Sequence, residues 1–334
     1  MTLLYVTHPG CLEHDPKPAH PECGARLLAA RIGLDRSGVD ARLVVAEAAP
    51  RALVARVHDA SVMDALEALD ARGGGMIDPD TFVSAGTRNA AELAAGSALT
   101  AVSHIDAGVA TRAFCAVRPP GHHATPSRSM GFCFYNSIAI AATMLRDRGE
   151  RVAIVDLDAH HGNGTEEVFS DDADVLFASI HQWPFYPGTG ALEDIGRGSG
   201  VGTTINIPVP AGTTGDHYRD ALERVVVPAL TRLAPTWLLL SLGFDAHRDD
   251  PLTALGLTSG DYADLVTDLL QATPHAKVVA LLEGGYDLDA VQNGVHATVT
   301  AFAGAAEHPE RPTSGGRGRD AVDAAVRQHR STRW

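Results

Sequence analysis

Polar side chains that can bind a metal ion are concentrated where one apolar run ends. The run Val152–Leu157 contains Asp156 and leads directly into Asp158, His160 and His161. Side chains two residues apart on an extended chain point to the same side, so Asp156, Asp158 and His160 are expected to converge. Zinc binds carboxylate oxygen and imidazole nitrogen, and a catalytic zinc site keeps one position open for water. The spacing therefore predicts part of a metal site.

Helix capping is the alternative role for these aspartates. It would be the better interpretation of a single Asp at a strand end, but three carboxylate or imidazole groups at spacing two favour a metal. The third ligand is expected from another strand end, and Asp245 is the first charged residue after the apolar run Trp237–Leu242. Asp249 and Asp250 are interpreted as loop carboxylates near Pro251.

Two adjacent imidazoles, His122 and His123, follow a second apolar run, Ala113–Val117. Histidine accepts and donates protons near neutral pH, and amide hydrolysis needs both, to activate water and to release the amine. Because like charges oppose each other, the two rings are not expected to be cationic together, and they should take different roles. The alternatives are a pair of metal ligands or a structural loop.

A phenol follows a third run. Tyr286 comes after Val278–Leu282 and a Glu-Gly-Gly segment. Its hydroxyl could donate a hydrogen bond to an oxyanion that develops during hydrolysis. The alternative is a tyrosine that packs over a turn.

These groups must be positioned by a regular framework, and the chain alternates between two kinds of apolar segment. Several short β-branched runs are apolar on successive residues, which is typical of parallel strands covered on both faces. Ala- and Leu-rich segments with helical spacing lie between them. The pattern predicts an α/β fold of three layers, α/β/α, around a central and mainly parallel sheet, with ligands beyond the carboxyl ends of the strands. The predicted strands are Leu3–Val6, Leu43–Val45, Ala113–Val117, Val152–Leu157, Val175–Ile180, Thr204–Val209, Trp237–Leu242 and Val278–Leu282, and the predicted helices are Ala90–Ser103, Ser137–Arg148, Tyr218–Leu233, Tyr262–Leu270 and Leu288–Ala303.

No linker or charge run divides the 334 residues. Length alone would suggest about two domains, but the continuous alternation predicts one domain over 1–334. The stretch Glu310–Arg319 is rich in Gly and Arg, and we interpret 310–334 as a peripheral loop and terminal helix.

Charge and composition exclude some functions. With 27 Lys and Arg against 41 Asp and Glu, the formal charge is −14. A direct nucleic-acid partner is not expected because phosphate binding needs a basic surface, whereas cationic substrates would be attracted. Four scattered cysteines do not form a disulfide framework, and neither a signal peptide nor a membrane span is visible. We expect a cytoplasmic protein without membrane contact; the oligomeric state is left open, a homo-oligomer included.

Taken together, the polar segments resemble the histone deacetylase and acetylpolyamine amidohydrolase family, and the class II-like bacterial members in particular. The resemblance extends from Thr7 to about Phe302 and implies an arginase-deacetylase-like fold. It rests on six motifs in the family's order: Arg-Pro-Pro-Gly-His-His, Gly-Phe-Cys-Phe-Tyr-Asn, Asp-Leu-Asp-Ala-His-His-Gly-Asn-Gly, Tyr-Pro-Gly-Thr-Gly, Gly-Phe-Asp-Ala-His and Glu-Gly-Gly-Tyr.

The resemblance implies a zinc-dependent deacetylase and assigns roles to the residues above. Zinc would be held by Asp158, His160 and Asp245. His123 would act as general base and then acid, with His122 as its electrostatic partner. The remaining catalytic assignments are Asp156, which would orient His122, Asn163, which would partner His123, and Tyr286, which would stabilise the oxyanion.

The family also implies monovalent ions and a substrate tunnel. Potassium or sodium would bind at a first site of Asp156, Asp158, His160, Ser179 and Ile180, and at a second site of Phe169, Asp172, Val175 and Thr203. The acyl-lysine tunnel would be walled by aromatic side chains, and an apolar slot suits a methylene chain. The residues assigned to substrate binding are Gly131, Phe132, Tyr186, Leu252, Gly284 and Gly285. His181 is interpreted as structural.

Three positions depart from the family pattern. Eukaryotic class I enzymes have an aspartate at the position of Asn163, whereas class II and many bacterial members have an asparagine there, as this chain does. The entrance motif His-Pro-Glu-Arg-Pro is replaced by a version with Cys23 and Gly24. Leu252 stands where the polyamine-selective eukaryotic member has a glutamate, which argues against polyamine selectivity.

The expected substrate is therefore an acetylated lysine in a protein or peptide, or a similar small acetylated amine. An acetylpolyamine amidohydrolase is the enzymatic alternative, which the short entrance segment Leu12–Pro21 disfavours. A non-catalytic module that binds acyl-lysine is disfavoured because ligands, histidines and Tyr286 are all present. A ureohydrolase with two manganese ions would need further Asp and His ligands that the sequence does not supply.

Overall fold

The eight apolar runs expected as strands all lie in one sheet of the computed structural model, which describes residues 2–16 and 19–331. Residues 17 and 18 of the entrance segment Leu12–Pro21, and residues 332–334 of the expected C-terminal region, lie outside the described residues. The main-sheet strands are β1 Leu3–Thr7, β2 Ala41–Val45, β5 Arg112–Cys115, β6 Val152–Asp156, β7 Val175–Gln182, β8 Thr204–Val209, β9 Trp237–Leu242 and β10 Lys277–Leu282.

All neighbouring strands of the main sheet pair in parallel, in the order β2-β1-β5-β10-β9-β6-β7-β8. A small antiparallel hairpin that the sequence did not predict adds β3 Gly74–Met76 and β4 Phe82–Ser84. The prediction of a mainly parallel central sheet is confirmed.

Helices cover both faces of the sheet. Alternate residues of one strand enter different cores: Ala153 and Val155 of β6 face one, and Val152 and Ile154 face the other. The first core is closed by α1, α7 and α8 to α11, and the second by α2 to α6, which confirms three layers. The helices are α1 Ala25–Ser37, α2 Arg51–Val54, α3 Ala60–Ala71, α4 Thr87–Asp106, α5 Ser137–Arg146, α6 Asn163–Phe169, α7 Gly215–Ala221, α8 Val227–Leu233, α9 Ser259–Ala272, α10 Leu288–Ala303 and α11 Arg319–Ser331.

The stretch Tyr218–Leu233, expected as one helix, is interrupted. A π-helical turn, Leu222–Val226, joins α7 to α8. Pro228 follows in the first turn of α8, and because proline has no backbone N–H it cannot donate the bond that would continue a regular α-helix. The helical content is as predicted, but its regularity is not.

The C-terminal helix α11 contributes to the first core through Val322, Ala325 and Val326, which are buried. The stretch before it, up to Gly318, is loop. Among the described residues, no helix combines the length and apolar character required to span a bilayer.

The strand order explains where the polar segments meet. The strands β5, β10, β9, β6 and β7 are consecutive neighbours at the middle of the sheet, and their carboxyl ends share one edge. The loops that carry the histidine pair, Tyr286, Asp245 and the segment after Asp156 therefore lie side by side. This edge is where ligands bind in open parallel sheets.

Candidate active site

Asp158, His160 and Asp245 meet beyond the ends of β6 and β9. The Nδ1 atom of His160 lies 3.1 Å from Oδ1 of Asp158 and 3.0 Å from Oδ2 of Asp245. One ligand atom from each residue lies within 4.8 Å of the others. Both carboxylates are fully buried and the imidazole nearly so.

The two carboxylates of this triad favour a positive charge beside them. Burial alone would lower the pKa of His160, but its bonds with Asp158 and Asp245 outweigh burial and raise that pKa to about 10. Burial and the charge of Asp158 raise the pKa of Asp245 to about 7. Two buried carboxylates need a compensating positive charge, which a protonated His160 or a bound cation can supply. The donor set of two carboxylates and one imidazole suits zinc, with a position left for water.

Backbone groups hold the two carboxylates in place. Asp158 Oδ2 accepts the N–H of Gly284 at 2.8 Å, and Asp245 Oδ1 accepts that of Ala159 at 2.8 Å. Both carboxylates lie where a Cβ of Gly284 would be, and Asp158 also fills that space at Gly243. Gly284, expected among the substrate-binding residues, thus lies against the triad.

Asp156 does not converge with the triad, contrary to the expectation from spacing alone. The strand β6 ends at Asp156, so the two-residue alternation does not continue to Asp158 and His160. The Asp156 side chain instead accepts from Nδ1 of His122 at 3.0 Å and from the N–H of Asp158 at 3.1 Å. The bond with His122 agrees with the orienting position that the family resemblance implied.

The imidazoles of His122 and His123 lie side by side, with ring centroids 4.0 Å apart. Nε2 of His122 is 3.7 Å from Oδ1 of Asp158. Nδ1 of His123 is 2.8 Å from Oδ1 of Asn163, at the start of α6. Because an amide oxygen only accepts, Nδ1 of His123 carries the proton and Nε2 has a free lone pair.

The surroundings give these two rings different charges. Burial lowers the pKa of His122, but the carboxylates of Asp158 and Asp156 outweigh it and hold that pKa well above its ordinary value. Burial lowers the pKa of His123 well below its ordinary value, and the charges of His122 and His160 act in the same direction. One ring is thus cationic and its neighbour neutral, as expected of a pair with two roles.

Tyr286 follows β10, and its backbone N–H donates to Oδ2 of Asp250 at 2.7 Å. The guanidinium of Arg26 lies over the phenol ring, 5.2 Å from its centroid. Burial and the charge of Asp245 hold the pKa of the phenol well above 10. The hydroxyl therefore stays protonated at neutral pH and remains a donor. Gly285 adopts a φ of +115°, and its Cβ would contact Phe244.

Aromatic side chains lie above the triad. The Tyr186 ring is 5.2 Å from that of His123 and nearly perpendicular to it, and the Phe132 ring is 5.9 Å from that of Tyr286. Gly131 has a φ of +57°, and a Cβ there would lie 2.5 Å from Cδ2 of His123 and 3.0 Å from the Tyr186 hydroxyl. Both aromatic residues assigned to substrate binding therefore lie beside the catalytic candidates His123 and Tyr286. Leu252, which is exposed, donates its N–H to Asp250 at 2.9 Å.

Two residues assigned to the first monovalent-ion site, Asp156 and Ser179, are neighbours on adjacent strands. Ser179 pairs with Asp156 in the register of β6 and β7. Its hydroxyl is 3.0 Å from Nδ1 of His181, whose Nε2 is 3.0 Å from the carbonyl of Gly190. The carbonyl of Ile180 accepts from the Tyr218 hydroxyl at 3.4 Å.

The residues assigned to the second monovalent-ion site also lie together. The Thr203 hydroxyl donates to the carbonyl of Asp172 at 3.0 Å, and the N–H of Asp172 donates to the carbonyl of Phe169 at 3.0 Å. Val175 begins β7.

Sequence reasoning missed several residues of the site. Phe185 stacks on His160 with centroids 5.4 Å apart. Glu283, inside the Glu-Gly-Gly-Tyr motif, is buried and accepts the N–H groups of Gly121 at 2.7 Å and His122 at 3.2 Å. The hydroxyl of Thr81, on the unpredicted hairpin, accepts the N–H of Phe132 at 3.2 Å. Of these three residues, only Glu283 could have been found from the sequence, because it is a charged residue inside a motif that was already singled out.

The carboxyl edge of the parallel sheet thus carries three residues that could hold a metal ion, a histidine pair and a phenol, an arrangement suited to the hydrolysis of an amide. Comparison with known proteins gives the family. The histone deacetylase domain model matches residues 20–302. A probable deacetylase of Archaeoglobus fulgidus is 40% identical over 85% of this chain and 81% of its own length.

A histone deacetylase-like amidohydrolase of Pseudomonas aeruginosa is 40% identical over 76% of this chain and 69% of its own. The crystal structure of the HDA15 HD domain superposes with a TM-score of 0.90 at 31% identity, covering 98% of this chain and 94% of that chain. The chain belongs to the histone deacetylase family, and its fold is the arginase-like α/β fold of that family.

Proposed function

We propose that this protein is a zinc-dependent deacetylase that hydrolyses the acetyl amide of acetyl-lysine or a similar acylated aminoalkyl substrate. The observation that carries the proposal is the convergence of Asp158, His160 and Asp245 beside the paired rings of His122 and His123. The triad supplies a metal site, and the two histidines supply an acid/base pair.

Zinc held by Asp158, His160 and Asp245 would polarise the acyl carbonyl and lower the pKa of its water. His123 takes the proton of the attacking water at Nε2, because Nδ1 already donates to Asn163. The same Nε2–H then protonates the leaving amine. His122 keeps its positive charge between Asp156 and Asp158 and so stabilises negative charge that develops nearby.

The hydroxyl of Tyr286 donates a hydrogen bond to the oxyanion, since the phenol stays protonated. Phe132 and Tyr186 bind the methylene chain of the substrate and exclude water from it. Because Gly131 has no Cβ, the His123 ring and the Tyr186 hydroxyl can lie against its backbone. The same proposal places potassium or sodium at the two sites described above.

A single observation favours the acetylpolyamine alternative. In the β3-β4 hairpin, Asp80 accepts from the Thr81 hydroxyl at 2.8 Å and Asp78 accepts the N–H of Thr81 at 2.8 Å, and the same hydroxyl accepts the N–H of Phe132. Two carboxylates beside the approach to the site, on a chain of formal charge −14, would attract a second ammonium group of a polyamine. Leu252, which is apolar, opposes this reading.

The experiment compares hydrolysis of acetyl-lysine peptides, acetylpolyamines and longer acyl-lysines by the zinc-loaded protein. We expect kcat/KM to be highest for an acetyl-lysine peptide. A preference for acetylpolyamines of about tenfold or more would select the alternative. Absence of hydrolysis with every acyl amine, in a protein that has bound zinc, would refute the proposed function. His123→Ala, with zinc retained, is the inactive control.

A further inference from the structure

The loop that carries Tyr286 is held by charged side chains rather than by regular secondary structure. Arg26 donates to the carbonyls of Glu283 and Gly285, the latter at 2.6 Å. The N–H of Gly284 donates to Asp158, and that of Tyr286 donates to Asp250 at 2.7 Å. The position of the phenol hydroxyl therefore depends on three side chains that anchor the backbone.

Asp250, like Arg26, lies outside the Asp158, His160 and Asp245 triad, and it links its own loop to the loop of Tyr286. Its Oδ2 accepts from the N–H of Tyr286, and its Oδ1 accepts from the N–H of Leu252 at 2.9 Å. The residue is 5% exposed, whereas the side chain of its neighbour Asp249 is 61% exposed. A buried carboxylate with both oxygens bonded to backbone N–H groups fixes the separation of those groups.

We propose that Asp250 is a positioning residue for Tyr286. Through the Tyr286 N–H it sets where the phenol hydroxyl meets the oxyanion, and through the Leu252 N–H it fixes that hydroxyl relative to the substrate approach. The role in turnover rests on the proposed function. Misplacement of a reacting group by about 1 Å can cost about 100-fold in rate. Asp250 binds the backbone nitrogen that is bonded to the Tyr286 Cα, so its loss should lower kcat.

The side chain of Tyr286 has separate support, which makes the two contributions separable. Its ring packs beside Phe132 at 5.9 Å and under Arg26 at 5.2 Å. Removal of the Asp250 anchor should leave this packing in place and free the backbone. The expected defect is therefore in the geometry of the transition state and not in substrate binding or metal uptake.

The test compares Asp250→Asn with Asp249→Asn, the same substitution at adjacent positions. An amide at 250 replaces one acceptor with a donor, so one of the two N–H groups loses its partner. We expect Asp250→Asn to lower kcat by about 10-fold to 100-fold with KM changed less than about 3-fold. Asp249→Asn should stay within about 2-fold of wild type, and both variants should bind zinc as wild type does.

A double-mutant cycle with Tyr286→Phe identifies the route of the effect. If Asp250 acts through the phenol, the loss from Asp250→Asn should shrink to less than about 2-fold when the hydroxyl is already absent. Full multiplication of the two losses would overturn the proposal. Loss of zinc in Asp250→Asn would also overturn it, because the effect would then run through the metal ligands.

Hydrogen exchange provides a readout that does not need activity. In Asp250→Asn, amides of residues 284–287 should exchange faster than in wild type and in Asp249→Asn. Unchanged exchange would overturn the anchoring role even if activity fell. If Asp250→Asn exchanges faster but the zinc-loaded wild type hydrolyses no acyl amine, the anchoring role is supported and the proposed function is refuted. Circular dichroism of each variant identifies any that fail to fold.

Discussion

At the residue scale, the division of labour between His122 and His123 follows from their partners. His122 lies between Asp156 and Asp158, whereas His123 has a neutral amide on Nδ1 and a positive ring beside it. Carboxylates stabilise an imidazolium, whereas burial and a neighbouring cation destabilise it. Burial and the positive charges of His122 and His160 therefore keep the pKa of His123 low and the ring neutral, against the bond to Asn163, which acts in the opposite direction.

Replacement of Asn163 by Asp should change the pH dependence of activity. The pKa of His123 is held well below 6.5, so the acidic limb of kcat/KM in the wild type should lie below pH 6.5. A carboxylate 2.8 Å from Nδ1 favours the charged ring and raises this pKa, so the acidic limb should move to higher pH. Zinc content is measured at each pH as the control. A limb that stays in place, or moves to lower pH, would contradict the assignment of His123 as base.

Replacement of Tyr286 by Phe should lower kcat by roughly 100-fold to 1,000-fold, the size of the effect of removing one oxyanion donor. The ring contacts with Phe132 and Arg26 remain, so KM and zinc content should change little. Steady-state kinetics with an acetyl-lysine peptide measure the effect. A rate near that of wild type would remove the phenol from the mechanism.

At the element scale, close approach of loops makes glycine necessary above the triad. The segment containing Gly131 and Phe132 has positive φ at both residues. It is supported by the β3-β4 hairpin through Thr81. The lack of a Cβ at Gly131 lets His123 and Tyr186 lie against the backbone.

Replacement of Gly131 by Ala should lower kcat/KM by about 100-fold, because the added methyl displaces His123. Gly149→Ala is a matched control: its φ is +79° and no atom lies within 4 Å of the added carbon. Both variants lose roughly 1–2 kcal/mol of stability from a left-handed alanine, but only the first should lose activity. Equal activities would show that the space beside His123 is not needed.

Much of this framework could be predicted from the sequence because buried parallel strands are continuous apolar runs. The eight strands and the polar groups after them follow from that pattern. The position of Asp156 could not, since the apolar pattern extends the run to Leu157 whereas β6 ends at Asp156. Helix α1 was missed because its buried face contains Arg26 and Gly33 in addition to apolar residues. Asp250 was taken as an ordinary loop carboxylate because its bond to the N–H of Tyr286 joins two loops that only the fold brings together.

At the scale of the whole molecule, metal binding and folding should be linked. The three proposed ligands come from loops after β6 and β9, and two of them are buried carboxylates. A cation that neutralises them stabilises the folded chain and not the unfolded one.

Removal of metal by a chelator should therefore lower Tm. At a zinc concentration about 100 times Kd, the stabilisation is about 2.7 kcal/mol, or about 5 °C for a chain of this size. Differential scanning fluorimetry with and without zinc measures the shift. Asp245→Asn should lose most of the response, whereas Asp249→Asn should keep it. An equal response in both variants would place the metal elsewhere.

The most direct test of the account is a titration of metal-free protein with zinc while hydrolysis of an acetyl-lysine peptide is measured. We predict no activity without metal, a linear rise, and a plateau at one zinc per chain, with Asp245→Ala inactive throughout. Full activity without metal, or a plateau reached only with two manganese ions per chain, would contradict the central claim that Asp158, His160 and Asp245 bind one catalytic zinc.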